Sequence, residues 1–181
     1  MKLSYLKLIL LIAVVVFFQI CKINPVAGVE QRSINENKSV FVENISKVAE
    51  PFIGTPYKFG GDLASSWTVD NSHLLCTIYG EAAKETGFKF KGYMPMKELL
   101  RNIVKIERND LSVGDLVVLN DGHAALVYKF ENRNKFYMIY ASLKRNMVIS
   151  FNSQNVVYEA YWLKNLEGFY RLNDEVLAPF D

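Results

Sequence analysis

The hydrophobic pattern changes character partway along the chain. Between residues 40 and 103 apolar positions recur at helical spacing, and from residue 114 onward they come in short β-branched and aromatic runs. "VFVENISKVAEPFI" (40–53) sets Val40, Ile45, Val48 and Phe52 near one face and predicts a helix. "GTPYKFGG" (54–61) interrupts regular structure with Gly54, Pro56, Gly60 and Gly61. "HLLCTIYGEAAKETG" (73–87) predicts a second helix stopped by Gly87, with Asp70 or Asn71 available to cap its start. "PMKELLRNI" (95–103) predicts a short helix with Pro95 in its first turn.

Strand signals follow at 114–119, 123–130, 135–142, 147–151 and 167–172, with "NRNK" (132–135) as a hairpin turn. Helices first and strands later predict an α+β fold, with N-terminal helices packed on an antiparallel sheet of about five to six strands. The polar tract "EQRSINENKS" places a linker at 29–39 and the folded domain at 40–181.

The first residues follow another rule. Lys2 and Lys7 precede "LILLIAVVVFF" (8–18), and the small-residue stretch "PVAG" ends at Gly28. Eleven apolar residues are too few to span a ~30 Å hydrocarbon core comfortably. Residues 1–28 therefore read as a secretory signal cleaved near Gly28 or, uncleaved, as a short membrane anchor. The expected location is outside the cytoplasm, in the periplasm or cell envelope. Cys21 follows Phe18, Gln19 and Ile20, which are bulky where a lipoprotein signal needs small residues.

Composition narrows the partners. Loss of residues 1–28 removes Lys2, Lys7 and Lys22 and no acid, so the net charge falls from +2 to −1. That leaves no basic surplus for a nucleic-acid partner. Apolar residues make up 50% of the chain, enough for a core. Cys76 alone survives cleavage, which excludes an internal disulfide. No residue pattern calls for a metal or an organic cofactor.

Two histidines, His73 and His123, focus the chemistry. His123 opens a strand after the turn "NDG", and "TVDNSHLLC" (68–76) opens a helix. The order "GTPYKFGG", Asp-Asn-Ser at a helix start, "LSVGDLVVL", "GHAALVY", "IYAS" and "VIS" resembles the NlpC-type family of papain-like cell-wall endopeptidases over about residues 40–172. The resemblance implies a Cys nucleophile at the helix start, a His base on the second strand and a polar residue on the next strand that orients it. A helix N-terminus lowers a thiol pKa, an imidazole accepts its proton, and a third group fixes the imidazole tautomer. It also implies a peptidoglycan stem peptide, or a similar peptide, as the ligand.

Carried over residue by residue, the resemblance assigns His123 as the base and puts Asn71 at the nucleophile position. Tyr140 stands at the third position, where His is common. Tyr57, Asp70, Ser72 and His73 line the expected groove, with His73 where the family usually has Gly. Cys76 cannot stand in for the missing thiol, because it lies about 140° around the helix and about 7.5 Å along it from position 71. Its apolar setting "LLCTI" predicts a buried packing role. The expected protein is a catalytically impaired member that binds cell-wall peptide. The alternative is an active cell-wall hydrolase with altered catalytic groups.

Overall fold

The computed structural model describes residues 26–84 and 86–179. Most of the expected signal segment, residues 1–25, lies outside the described residues. Two units are distinct, residues 1–36 and 37–181. The described part of the first is wholly helical.

Helix α1 runs Val26–Ala49. The tract 29–39, expected as a linker, is part of this helix. Between residues 29 and 50 there is neither Gly nor Pro to stop propagation, and Pro51 then closes it through a 3₁₀ turn at Glu50–Phe52. The buried stripe is Phe41, Ile45 and Ala49, spaced by four, while Val40 is exposed. The predicted face was thus one residue out of phase at its start, a rotation of about 100°.

A short helix α2 spans Leu63–Ser66. Helix α3 spans Asn71–Ala83 and is capped by Asp70, whose side chain accepts from the His73 backbone N–H. It buries Leu74, Leu75, Ile78, Tyr79 and Ala82. It ends at Ala83, ahead of Gly87, which turns the chain at φ +73° into strand β1, Phe88–Phe90. Helix α4 is the single turn Met96–Leu99. Ile103, expected to end that helix, instead opens strand β2, Ile103–Ile106, where it pairs with Leu172.

Strands β3 (Leu116–Leu119), β4 (Ala124–Asn132), β5 (Lys135–Ser142), β6 (Met147–Asn152), β7 (Leu166–Leu172) and β8 (Leu177–Pro179) complete the chain. The main sheet is six-stranded and antiparallel, in the order β2-β7-β3-β4-β5-β6. The expected α+β architecture and strand count are present. A separate β1–β8 ribbon was not legible in advance.

Both faces of the sheet are covered, which explains why all four residues of β3 are buried. One face, with Leu116, Val118, Leu126 and Ile139, packs against α1 and α3. The other, with Val117, Leu119, Val127 and Met138, packs under Tyr158 and Trp162. These two come from a π-helical turn, Tyr158–Trp162, closed by Leu163 N–H donating to Tyr158 O.

Candidate active site

The site forms where the N-terminus of α3 meets the start of β4. Asp70 organises it. Its Oδ1 accepts from the His73 backbone N–H at 2.8 Å, from the Ser72 hydroxyl at 2.9 Å and from His73 Nδ1 at 3.0 Å. Its Oδ2 accepts from the Gly60 N–H at 3.0 Å, tying the glycine-rich loop to the helix start. Gly60 sits at φ +66°, a left-handed conformation that costs glycine little. Burial alone would raise the Asp70 pKa, but these hydrogen bonds outweigh it and hold the carboxyl below its usual value.

The same loop positions Tyr57. Gly54 N–H donates to Val148 O, Tyr57 N–H to Asn146 O and Lys58 N–H to Val69 O. The loop is thereby held to the β5–β6 turn on one side and to the residue before Asp70 on the other. Tyr57 is half-buried, and burial together with the Asp70 charge raises its phenol pKa.

Asn71 is bound into the sheet. The β4–β5 ladder ends at Leu126↔Ile139. Two residues further on, the register would face Ala124 with Ala141. There Asn71 Nδ2 donates to Ala124 O at 2.7 Å, and Ala141 N–H donates to Asn71 Oδ1 at 3.0 Å. The side-chain amide bridges the two strands as a peptide group would. An amide so engaged has no nucleophilic electron pair to offer.

His123 is more than half exposed, and its Nδ1 lies 3.0 Å from Asp121 Oδ1. The same oxygen accepts the His123 backbone N–H at 3.0 Å. The hydrogen bonds from His123 outweigh a burial effect that would raise the Asp121 pKa, and hold this carboxyl low. Asp121 therefore orients the imidazole. Sequence reasoning missed it because "NDG" reads first as a turn, although Asp two residues before a His was a usable signal. Tyr140, assigned the third position, packs edge-on against Phe151 and Trp162 instead.

Tyr57, Asp70, Asn71, Ser72 and His123 line one cleft of about 440 Å³, together with Phe59 and Met96. His73 does not join them. It stacks on Tyr93 with ring centroids 4.0 Å apart and lines a different cavity with Cys76 and Gly80. A residue at helix position i+2 from Asn71 is turned about 200° away, so flanking in sequence did not mean sharing the cleft. Tyr140 lines a third cavity, on which His123 also borders.

Cys76 is 5% exposed, and burial pushes its thiol up to about 11. It accepts from the Met94 N–H and donates to the Met94 carbonyl, fixing the segment before α4. Among the described residues, no three His, Cys, Asp or Glu side chains gather as a metal site.

A capped helix N-terminus set against a strand of an antiparallel sheet, with a histidine just before that strand, is the frame of a papain-like α+β domain. No protein-family model matches the sequence, and no curated protein does. Solved structures do. An NlpC/P60 family protein from Bacillus cereus superposes with a TM-score of 0.53 at 20% identity, over 72% of this chain and 39% of that one. The peptidoglycan hydrolase RipB from Mycobacterium tuberculosis aligns at 17% identity with a TM-score of 0.48, over 82% of this chain and 67% of that one. The chain has the NlpC/P60 fold, and it spans about two fifths of the length of the Bacillus cereus protein.

Proposed function

We propose that this is an exported NlpC-type domain that binds cell-wall peptide and has lost thiol catalysis. The observation that carries the reading is the doubly hydrogen-bonded amide of Asn71 at the helix start where a nucleophile would sit. Cys76, buried and poorly ionised, supplies no replacement thiol. The cleft beside Asn71 keeps the means to hold a peptide. Tyr57 and the exposed Phe59 offer aromatic walls, and His123 with Asp121 offers a charged or hydrogen-bonding edge. A protein of similar fold from Bacillus cereus carries the name NlpC/P60 family protein, and together with the sequence's resemblance to NlpC-type cell-wall endopeptidases this supports stem peptide as the ligand class.

A second reading has one observation in its favour. The Asp121–His123 pair is arranged as the orienter and base of a hydrolase. In that reading the imidazole activates water directly, without a covalent intermediate.

One experiment separates them. Purified stem peptides are titrated into the protein by calorimetry, and the same samples are analysed for cleavage products. Saturable binding with intact peptide supports the binding module. Cleavage that survives iodoacetamide and disappears in His123→Ala supports the second reading. Absence of both binding and cleavage removes stem peptide as the ligand.

A further inference from the structure

The third cavity, of about 770 Å³, shares His123 with the cleft at Asn71. Its size falls within the range of small-molecule sites, roughly 300–1,000 Å³. Leu119, Tyr140, Phe151 and Trp162 form its inner wall. Tyr140, Phe151 and Trp162 interlock with centroid separations of 5.2 to 5.8 Å, so this wall is rigid. The Trp162 indole N–H is buried and has no acceptor among the described residues. Such unpaired buried donors are uncommon in folded proteins and call for a reason.

The rim has a different character. Leu143 and Val156 are each 72% exposed, and Val157 and Tyr161 are exposed beside them. Aliphatic side chains are thus left in water around one opening, which marks an interaction site rather than scattered surface. They come from two segments, the β5–β6 turn and the approach to the π-helical turn, a rare element often found at functional sites. Lys144 and Arg145 stand on that β5–β6 turn, and neither forms an ion pair among the described residues. Among the described residues no Asp or Glu lines the cavity, although Asp121 pairs with His123 at its wall.

An aromatic and aliphatic wall interrupted by His123, Ser142, Ser150 and Asn155, an aliphatic rim, and two cations with no ion pair among the described residues favour one kind of occupant. We infer that this cavity binds an amphipathic anion, an aliphatic chain ending in a carboxylate or a phosphate, with the chain against Phe151 and Trp162 and the anion at Lys144 and Arg145. A peptide side chain would satisfy the apolar wall but would not use both cations. A free inorganic anion would use the cations and leave the wall wet. His123 lines both this cavity and the cleft at Asn71, so occupancy here is read at Val156, which lines this cavity and not the cleft.

The test uses the full chain carrying Trp67→Phe. Trp67 is 84% exposed, and its removal leaves Trp162 as the one tryptophan reporter. Hexanoate, octanoate, decanoate, octyl phosphate, 1-octanol and inorganic phosphate are each titrated by calorimetry and by Trp162 fluorescence. Saturable binding is expected for the chain-bearing anions, tightening roughly fourfold per added methylene. Octanoate and octyl phosphate together show which headgroup is preferred, and binding of either supports the site. Octanoate is expected to bind at least tenfold more tightly than 1-octanol, and Lys144→Ala with Arg145→Ala to abolish that preference. Val156→Asp, at an exposed rim position, is expected to weaken octanoate at least tenfold without changing the urea midpoint. Failure of every amphiphile to bind overturns the proposal. So does octanoate binding that Val156→Asp leaves unchanged, affinity equal to that of 1-octanol, or binding of inorganic phosphate alone. Stem-peptide binding measured on Val156→Asp keeps the outcome for this cavity separate from that for the cleft.

Discussion

Asn71 Nδ2 donates to the carbonyl oxygen of Ala124 at 2.7 Å, joining the first residue of α3 to the residue that follows His123. With the return bond from Ala141 N–H to Asn71 Oδ1, one side chain sets the spacing of the helix and the two neighbouring strands β4 and β5. Position 71 is a structural joint between helix and sheet.

Asn71→Ala is accordingly expected to destabilise the domain. It removes two hydrogen bonds and leaves a carbonyl and an N–H of the sheet without partners, for a cost of about 2–4 kcal/mol. Urea unfolding followed by circular dichroism measures it. A change below about 0.5 kcal/mol would mean that water replaces the amide freely and that the joint is not structural.

Asn71→Cys puts a thiol at the helix start while Asp121 already orients His123. Thiol-dependent cleavage of stem peptide is expected to appear, together with a stability loss similar to that of Asn71→Ala. Product analysis with and without iodoacetamide, mapped by mass spectrometry to residue 71, reads it. A folded variant whose new thiol alkylates no faster than Cys76 would show that this position does not face the base.

How much of this was legible in the sequence follows from which forces are local. The β3–β7 strands announced themselves because each is a short apolar run between turn residues, and periodicity is written in the run itself. Asp70 as helix cap was readable for the same reason. Ribbon β1–β8 was not, because Phe88 and Pro179 meet only through tertiary pairing of two three-residue segments. Tyr140 was placed by its order along the chain, but its ring follows the aromatic cluster around Trp162, whose position depends on a π-helical turn with no sequence signature. His73 was misplaced by treating adjacency as convergence, although helical rotation sends it to Tyr93.

The thiol of Cys76 supplies a kinetic check. With its pKa near 11 and little exposure, native-state alkylation at pH 8 should run at least a hundredfold slower than for the same cysteine in urea. Peptide mapping distinguishes it from Cys21. Rapid labelling of Cys76 in the folded protein would contradict its burial and reopen it as a reactive group.

Asp70 should make the fold acid-sensitive. Its folded-state pKa lies below the ordinary carboxylate value, so the carboxylate contributes stability that is complete above about pH 5. That contribution is lost as the pH falls through the depressed folded value. Asp70→Asn keeps an acceptor oxygen but no charge, so it should lower stability at pH 7 and flatten the decline between pH 5 and 3. Urea midpoints across that range decide the point. A variant whose pH profile parallels the parent would assign the acid sensitivity to other carboxylates.

His123 and Tyr57 test the cleft itself. The His123 side chain is 60% exposed, and its recorded polar partner, Asp121, is half exposed, so His123→Ala removes little packing. Surface ion pairs of this kind contribute about 0–1 kcal/mol, and unfolding midpoints should barely move. Binding is different, because Tyr57, Asn71 and His123 wall the same 440 Å³ cleft. His123→Ala is expected to weaken stem-peptide affinity about tenfold. Tyr57→Phe, which keeps the ring and drops the hydroxyl, should weaken it less than Tyr57→Ala. Asp121→Ala provides the finer reading, since it leaves the imidazole in place but releases Nδ1 from its partner. If the ring's orientation matters, Asp121→Ala should approach the effect of His123→Ala. If only its presence matters, Asp121→Ala should bind as the parent does. Equal affinity across all of these variants would place the peptide outside the cleft.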